Sequence, residues 1–211
     1  MKSTTMILGK ETSQAGLLDG TSLNEELKGH VRSVLSLLGE DVEREGLLET
    51  PRRVATMLRH LTMGLDKNPE DELSVEFHEH YEGTILVRDI AFFSLCEHHL
   101  LPFFGVAHVA YQPARGILTG LSKIARVVEV ASRRPQVQER LTMEIAQALE
   151  VRLHPQGVLV WMQAEHLCMA MRGIEKVGTK TVTIHSTGTL AADQMQYQAL
   201  MAQLGRPGGS T

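Results

Sequence analysis

The chain has 211 residues, 43% of them hydrophobic, and a formal net charge of −4. That is enough apolar material for one substantial domain, so neither metal nor disulfides are needed merely to fold. The mild acidity argues against a general nucleic-acid-binding surface, two cysteines make no disulfide framework, and no segment approaches a membrane span.

Residues 1–20 show little periodicity and read as a flexible N-terminus; Met1 to Gly9 carries one lysine and too short an apolar run for a signal peptide, which points to the cytoplasm. Residues 21–82 read as an N-terminal helical region. Ser22 with Glu25 forms a capping-box pattern, Leu23, Leu27, Val31, Val34, Leu35 and Leu38 recur at helical spacing, and Gly39 is a terminator. Thr50-Pro51 opens a second helix, threonine as cap and proline in the first turn, with a stripe of Val54, Met57, Leu58 and Leu61.

From Gly83 the period changes, and residues 83–205 read as a second, α+β domain. Thr84 to Ser94 and Gly105 to Tyr111 are rich in β-branched, aromatic and small apolar residues and predict strands. Two helices follow: Ser122 caps a run with Ile124, Val127, Val128 and Ala131, and Pro135 opens one with Val137, Leu141, Ile145 and Leu149. Val158 to Cys168 and Thr179 to Ser186 predict two more strands, then Ala191 to Leu204 a short amphipathic helix. Strand pair, helix pair, strand pair is an α+β plan, with two helices on one face of an antiparallel sheet. Residues 206–211 read as a flexible tail.

Both cysteines sit in histidine-containing tetrads, Cys96-Glu97-His98-His99 and Glu165-His166-Leu167-Cys168. Cys96 and His99, three apart, meet on a turn but not on an extended strand. In the second tetrad, strand alternation puts His166 and Cys168 on one face, so one ligates while the other works nearby. The expectation is a zinc site of Cys96, His99 and Cys168, with a fourth position open to water, the mark of a catalytic rather than a structural zinc. His98 and His166 then stand beside it as acids and bases suited to neutral pH. C-x-x-H alone is a weak signal, since a lone cysteine is commonly a small buried hydrophobe. The other seven histidines, including His78 and His80, read as surface or packing residues.

Gly120-Leu121-Ser122-Lys123 leads into a helix whose free N–H groups favour phosphate, and Lys123 and Arg126 share a face. Arg172 lies just beyond the second tetrad. Glu139 is a candidate base reader, because a carboxylate accepts two parallel hydrogen bonds from a guanine-type edge. Each of these also fits an ordinary solvated helix start.

Five segments together resemble the GTP cyclohydrolase I family: Thr50-Pro51-Arg52-Arg53-Val54-Ala55, Ser94 to His99, Gly120 to Arg126, Arg134 to Leu141, and His166 to Gly173. The resemblance implies a tunnelling fold and a homodecamer of two face-to-face pentamers with active sites at subunit interfaces. It implies a zinc-dependent hydrolase acting on GTP, giving formate and 7,8-dihydroneopterin triphosphate on the way to tetrahydrofolate and other pterins. Cys96, His99 and Cys168 would hold the zinc, and His98 and His166 would stand nearest the purine, His166 protonating N7. Gln138 and Glu139 would hold the guanine, with the Leu121-Ser122 backbone. Ser122, Lys123, Arg126 and Arg172 would face the triphosphate, and Arg53 would reach it from a neighbouring subunit. The chain departs from the family pattern over Thr181 to Leu190, away from these positions. Competing readings are a different tunnelling-fold enzyme, a nucleotide-binding paralogue without turnover, and a structural zinc protein.

Overall fold

The computed structural model describes residues 20–74 and 76–204, so the two chain ends read as flexible lie almost wholly outside the described residues. The chain divides into two compact units, one ending at Arg59 and one beginning at His60.

In the first unit, α1 spans Gly20–Leu37 and α2 begins at Thr50, running to Leu61. Ser22 is therefore inside the first turn of α1 rather than at its cap. Gly39 does end the helix: at φ 91° it occupies a backbone region that costs glycine little, while Glu40 N–H reaches back to the Leu35 carbonyl at 3.1 Å. Thr50 does not cap α2. Its hydroxyl lies 3.5 Å from the Gly46 carbonyl, and Thr50 is itself helical. A 3₁₀ turn at Glu45–Leu47 joins the two helices.

The second unit opens with a 3₁₀ turn at Pro69–Leu73 and a short strand β1, Glu76–His78. Then come β2 (Ile85–Cys96), β3 (Pro102–Gln112), β4 (Ile117–Thr119), α3 (Leu121–Ser132), β5 (Pro135–Gln136), α4 (Gln138–Leu153) and β6 (Gly157–His166). One helical turn, α5 (Leu167–Ala170), precedes β7 (Lys180–Thr187), α6 (Gly188–Ala192) and α7 (Gln194–Leu204). The main sheet has the order β5-β2-β3-β6-β7, antiparallel except where β5 joins β2 in parallel. β1 pairs with β4 in a separate two-stranded ribbon.

The α+β plan expected from the sequence is the one adopted. One sheet face meets α3 and α4 over a core that includes Phe92, Phe103, Val109, Ile124, Leu141, Ile145 and Val160. Burying each such side chain stabilises the fold by about 1.5–3 kcal/mol. The helices are not confined to that face, however. Leu190 of α6 and Leu204 of α7 pack with Ala110 and Leu159, whose side chains alternate to the opposite side of β3 and β6. The C-terminal helix expected over Ala191 to Leu204 is two helices, broken at the extended Asp193.

Pro135 does not open a helix. Its segment is extended as β5, with Gln136 against Cys96, and α4 starts three residues later at Gln138. Ser122 is not the cap of α3 either; Gly120 occupies that position and Ser122 lies inside the first turn. No helix is long and apolar enough to cross a membrane among the described residues.

Candidate metal centre and its surroundings

The pairing of β3 decides where the two tetrads meet. Its first residues lie between them: Pro102 opposes Leu95, and Phe103 opposes Ser94 on one side and His166 on the other. Cys96 at the end of β2 and His166 at the end of β6 thus arrive at the same end of the sheet.

Within the first tetrad the chain reverses sharply. His99 N–H and Leu100 N–H both point to the Cys96 carbonyl, at 3.2 and 2.7 Å, and Leu100 takes φ 54° to close the turn. Cys96 and His99 come together as the three-residue spacing requires, Sγ to Nδ1 being 3.8 Å. The second tetrad is built differently from the strand expected. β6 ends at His166, and Cys168 lies on the helical turn α5, so strand alternation does not place it.

The donor atoms of Cys96, His99 and Cys168 nevertheless all lie within 4.8 Å of one another. A tetrahedral zinc holds sulfur and nitrogen donors about 3.5–3.8 Å apart, so a small contraction suffices. The donor set also fits by charge. Burial first, and then the adjacent Cys96, raise the Cys168 thiol pKa, a cost that a bound cation reverses.

His98 Nδ1 is also 3.8 Å from Cys96 Sγ, so distance to that sulfur does not separate the two histidines; proximity to Cys168 does. The His98 side chain is 64% exposed and free to face a ligand. His166 is held much more firmly. Its ring stacks on Phe103 at 4.7 Å and 3° between planes, and Nε2 lies 2.7 Å from Gln138 Oε1. Burial lowers its pKa, and the Glu139 carboxylate works in the opposite direction.

Gln138 is buried, whereas its neighbour Glu139 is exposed in the first turn of α4. Arg172 is exposed just beyond α5, close enough to Cys168 to favour its thiolate. Arg53 is exposed on α2 in the first unit.

The remaining expected residues do not join this group. α3 follows β4, and Thr119 N–H bonds the Tyr111 hydroxyl, near the far end of β3. Phe103 and Tyr111 are about 27 Å apart along the strand. The C-terminal end of α3 leads into β5 beside Cys96, so its N-terminus lies about 17 Å of helix away. Leu121, Ser122, Lys123 and Arg126 therefore sit toward the opposite end of the unit from the metal-ligand group of the same chain. Leu121, Ser122 and Arg126 are exposed, and neither cation forms an ion pair among the described residues.

Sequence reasoning missed several residues here. Arg140 pairs with Glu97, lowering that carboxyl's pKa, and also bonds Gln136 at 2.8 Å, which ties the first tetrad to α4. Phe103, Thr142 and Thr183 support His166 and Gln138 from below. Arg140 and Glu144 have the i, i+4 spacing of a helix pair, which carries no sign of the Glu97 contact. A separate cavity of about 400 Å³ around His78, Glu79, His80 and Arg115 holds no three-donor metal group among the described residues.

The family model described as GTP cyclohydrolase I matches residues 27–205. A Streptococcus suis (strain 05ZYH33) protein named GTP cyclohydrolase 1 is 51% identical over 183 residues, covering 87% of this chain and 98% of its own. A Streptococcus gordonii protein of the same name is 53% identical over 180 residues, covering 85% and 96%. The solved structure of the archaeosine synthase QueF-Like in the apo form is similar over 52% of this chain and 97% of its own. At 14% identity and a TM-score of 0.43, that likeness bears on neither fold nor activity.

Proposed function

The chain belongs to the GTP cyclohydrolase I family, and on that premise we propose that it opens the imidazole ring of GTP with zinc held by Cys96, His99 and Cys168. The observation that carries the metal assignment is the convergence of two thiols and one imidazole within 4.8 Å from separate chain segments. Bound zinc supplies Lewis acidity and an activated water at neutral pH.

The protein's own groups do the rest. His166 protonates N7, which makes C8 electrophilic, and His98 stands on the open side for the phosphate or ribose steps. Two hydrolyses consume two waters, break both ring bonds to C8 and release it as formate. The ribose then rearranges, and condensation of its new carbonyl with the freed amine returns one water, giving 7,8-dihydroneopterin triphosphate. Glu139 accepts two hydrogen bonds from the guanine edge, with the Leu121-Ser122 backbone and Gln138 near the base. Lys123, Arg126, Arg172, Ser122 and Arg53 bind the triphosphate.

A site of this kind needs more than one chain. The sheet's length separates the α3 cations from the metal-ligand group of the same subunit, which supports sites shared across interfaces in a decamer of two pentamers. The sheet would then continue around a central channel, as in a tunnelling fold. Two thiols that must stay reduced support a cytoplasmic setting.

The test separates metal from chemistry. Cys168→Ala is expected to lose zinc and turnover together, while His166→Ala keeps zinc and loses turnover. If both variants kept zinc and converted GTP normally, the site assignment would be wrong.

A further inference from the structure

Gln138 is the first residue of α4, 1% exposed, and every polar atom of its amide meets a protein group. Its Nε2 lies 3.1 Å from the Thr181 carbonyl, 3.3 Å from the Met162 carbonyl and 3.0 Å from Thr183 Oγ1. Two of these partners are backbone carbonyls, which only accept. They fix the amide's orientation, because the flipped form would press Oε1 against two carbonyl oxygens.

The opposite end of the amide is then an acceptor by elimination. His166 Nε2, 2.7 Å from Oε1, must carry the hydrogen of that contact. The hydroxyls nearby complete a consistent set. Thr142 donates to the Gln138 carbonyl at 2.7 Å, and so receives from Thr183 at 2.6 Å, leaving a Thr183 lone pair for Gln138 Nε2. Phe103, fully buried, holds the imidazole plane by stacking.

We propose that Gln138 is a positioning residue that fixes His166 as its Nε2–H tautomer, so that Nδ1 is the atom exchanging a proton with the substrate. This rests on the GTP-opening reading and departs from the guanine-holding role the family resemblance implies for Gln138. The proton on Nδ1 passes to N7 of the purine, and the neutral ring that remains keeps Nε2–H on Gln138. The ring need not turn or exchange tautomers during the step, and the same arrangement is ready to take a proton back at Nδ1. Thr181 and Thr183 acquire a role from this too: the carbonyl of one and the hydroxyl of the other set the amide that sets the histidine.

The direct test is neutron diffraction of the deuterated, zinc-loaded full chain at alkaline pH, where the ring is neutral. Deuterium on Nε2 with a bare Nδ1 is expected; deuterium on Nδ1 with a bare Nε2 overturns the proposal, and this readout does not depend on turnover. The kinetic arm compares Gln138→Leu with Gln138→Glu, whose buried carboxyl in its protonated form donates its hydroxyl where the amide N–H did and still accepts from Nε2–H. Gln138→Leu is expected to lower kcat about 10- to 100-fold with KM for GTP and zinc content nearly unchanged, and Gln138→Glu to recover much of the loss. A raised KM with intact kcat in Gln138→Leu would instead make Gln138 a guanine contact. Absence of GTP turnover in the unmutated, zinc-loaded chain would sink the activity reading and leave the tautomer result standing.

Discussion

If the metal group and the α3 cations of one chain serve different sites, two inactive proteins should repair each other. The perturbation is co-expression of His166→Ala with Lys123→Ala/Arg126→Ala, each carrying one defect and a distinct tag. The structure sets the expectation. Thr119, two residues before α3, is tied to Tyr111, and Tyr111 is about 27 Å along β3 from Phe103, which backs His166. No lysine or arginine side chain spans that length, so on the proposed reading each site would draw its proton-handling histidine from one subunit and its α3 cations, Lys123 and Arg126, from another. In a random one-to-one mixture the two choices are independent, and about a quarter of the sites combine two unmutated halves. GTP turnover in the doubly tagged oligomers, measured by pterin fluorescence after oxidation, should therefore reach about a quarter of the unmutated level, while either variant alone stays near background. A mixture no more active than the mean of its parents would show that each chain completes its own site, and the separation drawn from β3 and α3 would not matter for catalysis.

Two further predictions concern the frame beneath the site. A β-carbon on Gly105 would lie 1.8 Å from the Gln163 carbonyl, whereas a carbon–oxygen contact needs about 3.3 Å. Gly105→Ala must therefore part β3 from β6 two residues from the Phe103–His166 pair. A loss of about 2–4 kcal/mol from unmade ladder bonds should appear in urea unfolding at fixed protomer concentration, and an unchanged midpoint would refute the close approach. His108 accepts the Asp89 N–H at Nδ1 with Asp89 at φ 58° in the β2 bulge, and it packs against Trp161. Burial, more than anything else, lowers its pKa; Asp89 opposes this and Arg88 adds to it. The unfolded chain then binds the proton more readily, so stability is full above about pH 6.5 and falls as pH drops toward the folded value. His108→Asn should flatten that part of the stability–pH curve, and a curve of unchanged slope would contradict it.

Helix and strand existence was legible because period is local: the stripes of α3 and α4 and the β-branched run of β2 show it within a dozen residues. The Cys96–His99 turn was legible for the same reason. What stayed hidden depends on partners distant in sequence. Pro135 looks like a helix opener until Cys96 offers a strand edge to Gln136, and β1 is three residues that gain strand form only through β4. Cys168 reached its expected partners by an unexpected route, a turn where alternation argued for a strand. In the sequence, Gln138 is a polar side chain at a helix start, where solvent is its ordinary partner. Its burial follows from β6 and β7, whose carbonyls face α4 only after the sheet has formed.

The central claim is that this chain expels C8 of GTP as formate, and carbon-13 at that position tests it. With [8-¹³C]GTP and zinc-loaded protein, the label should appear in formate, one equivalent for each equivalent of dihydroneopterin triphosphate. Label retained in the purine, or formate released without the pterin, would contradict the account.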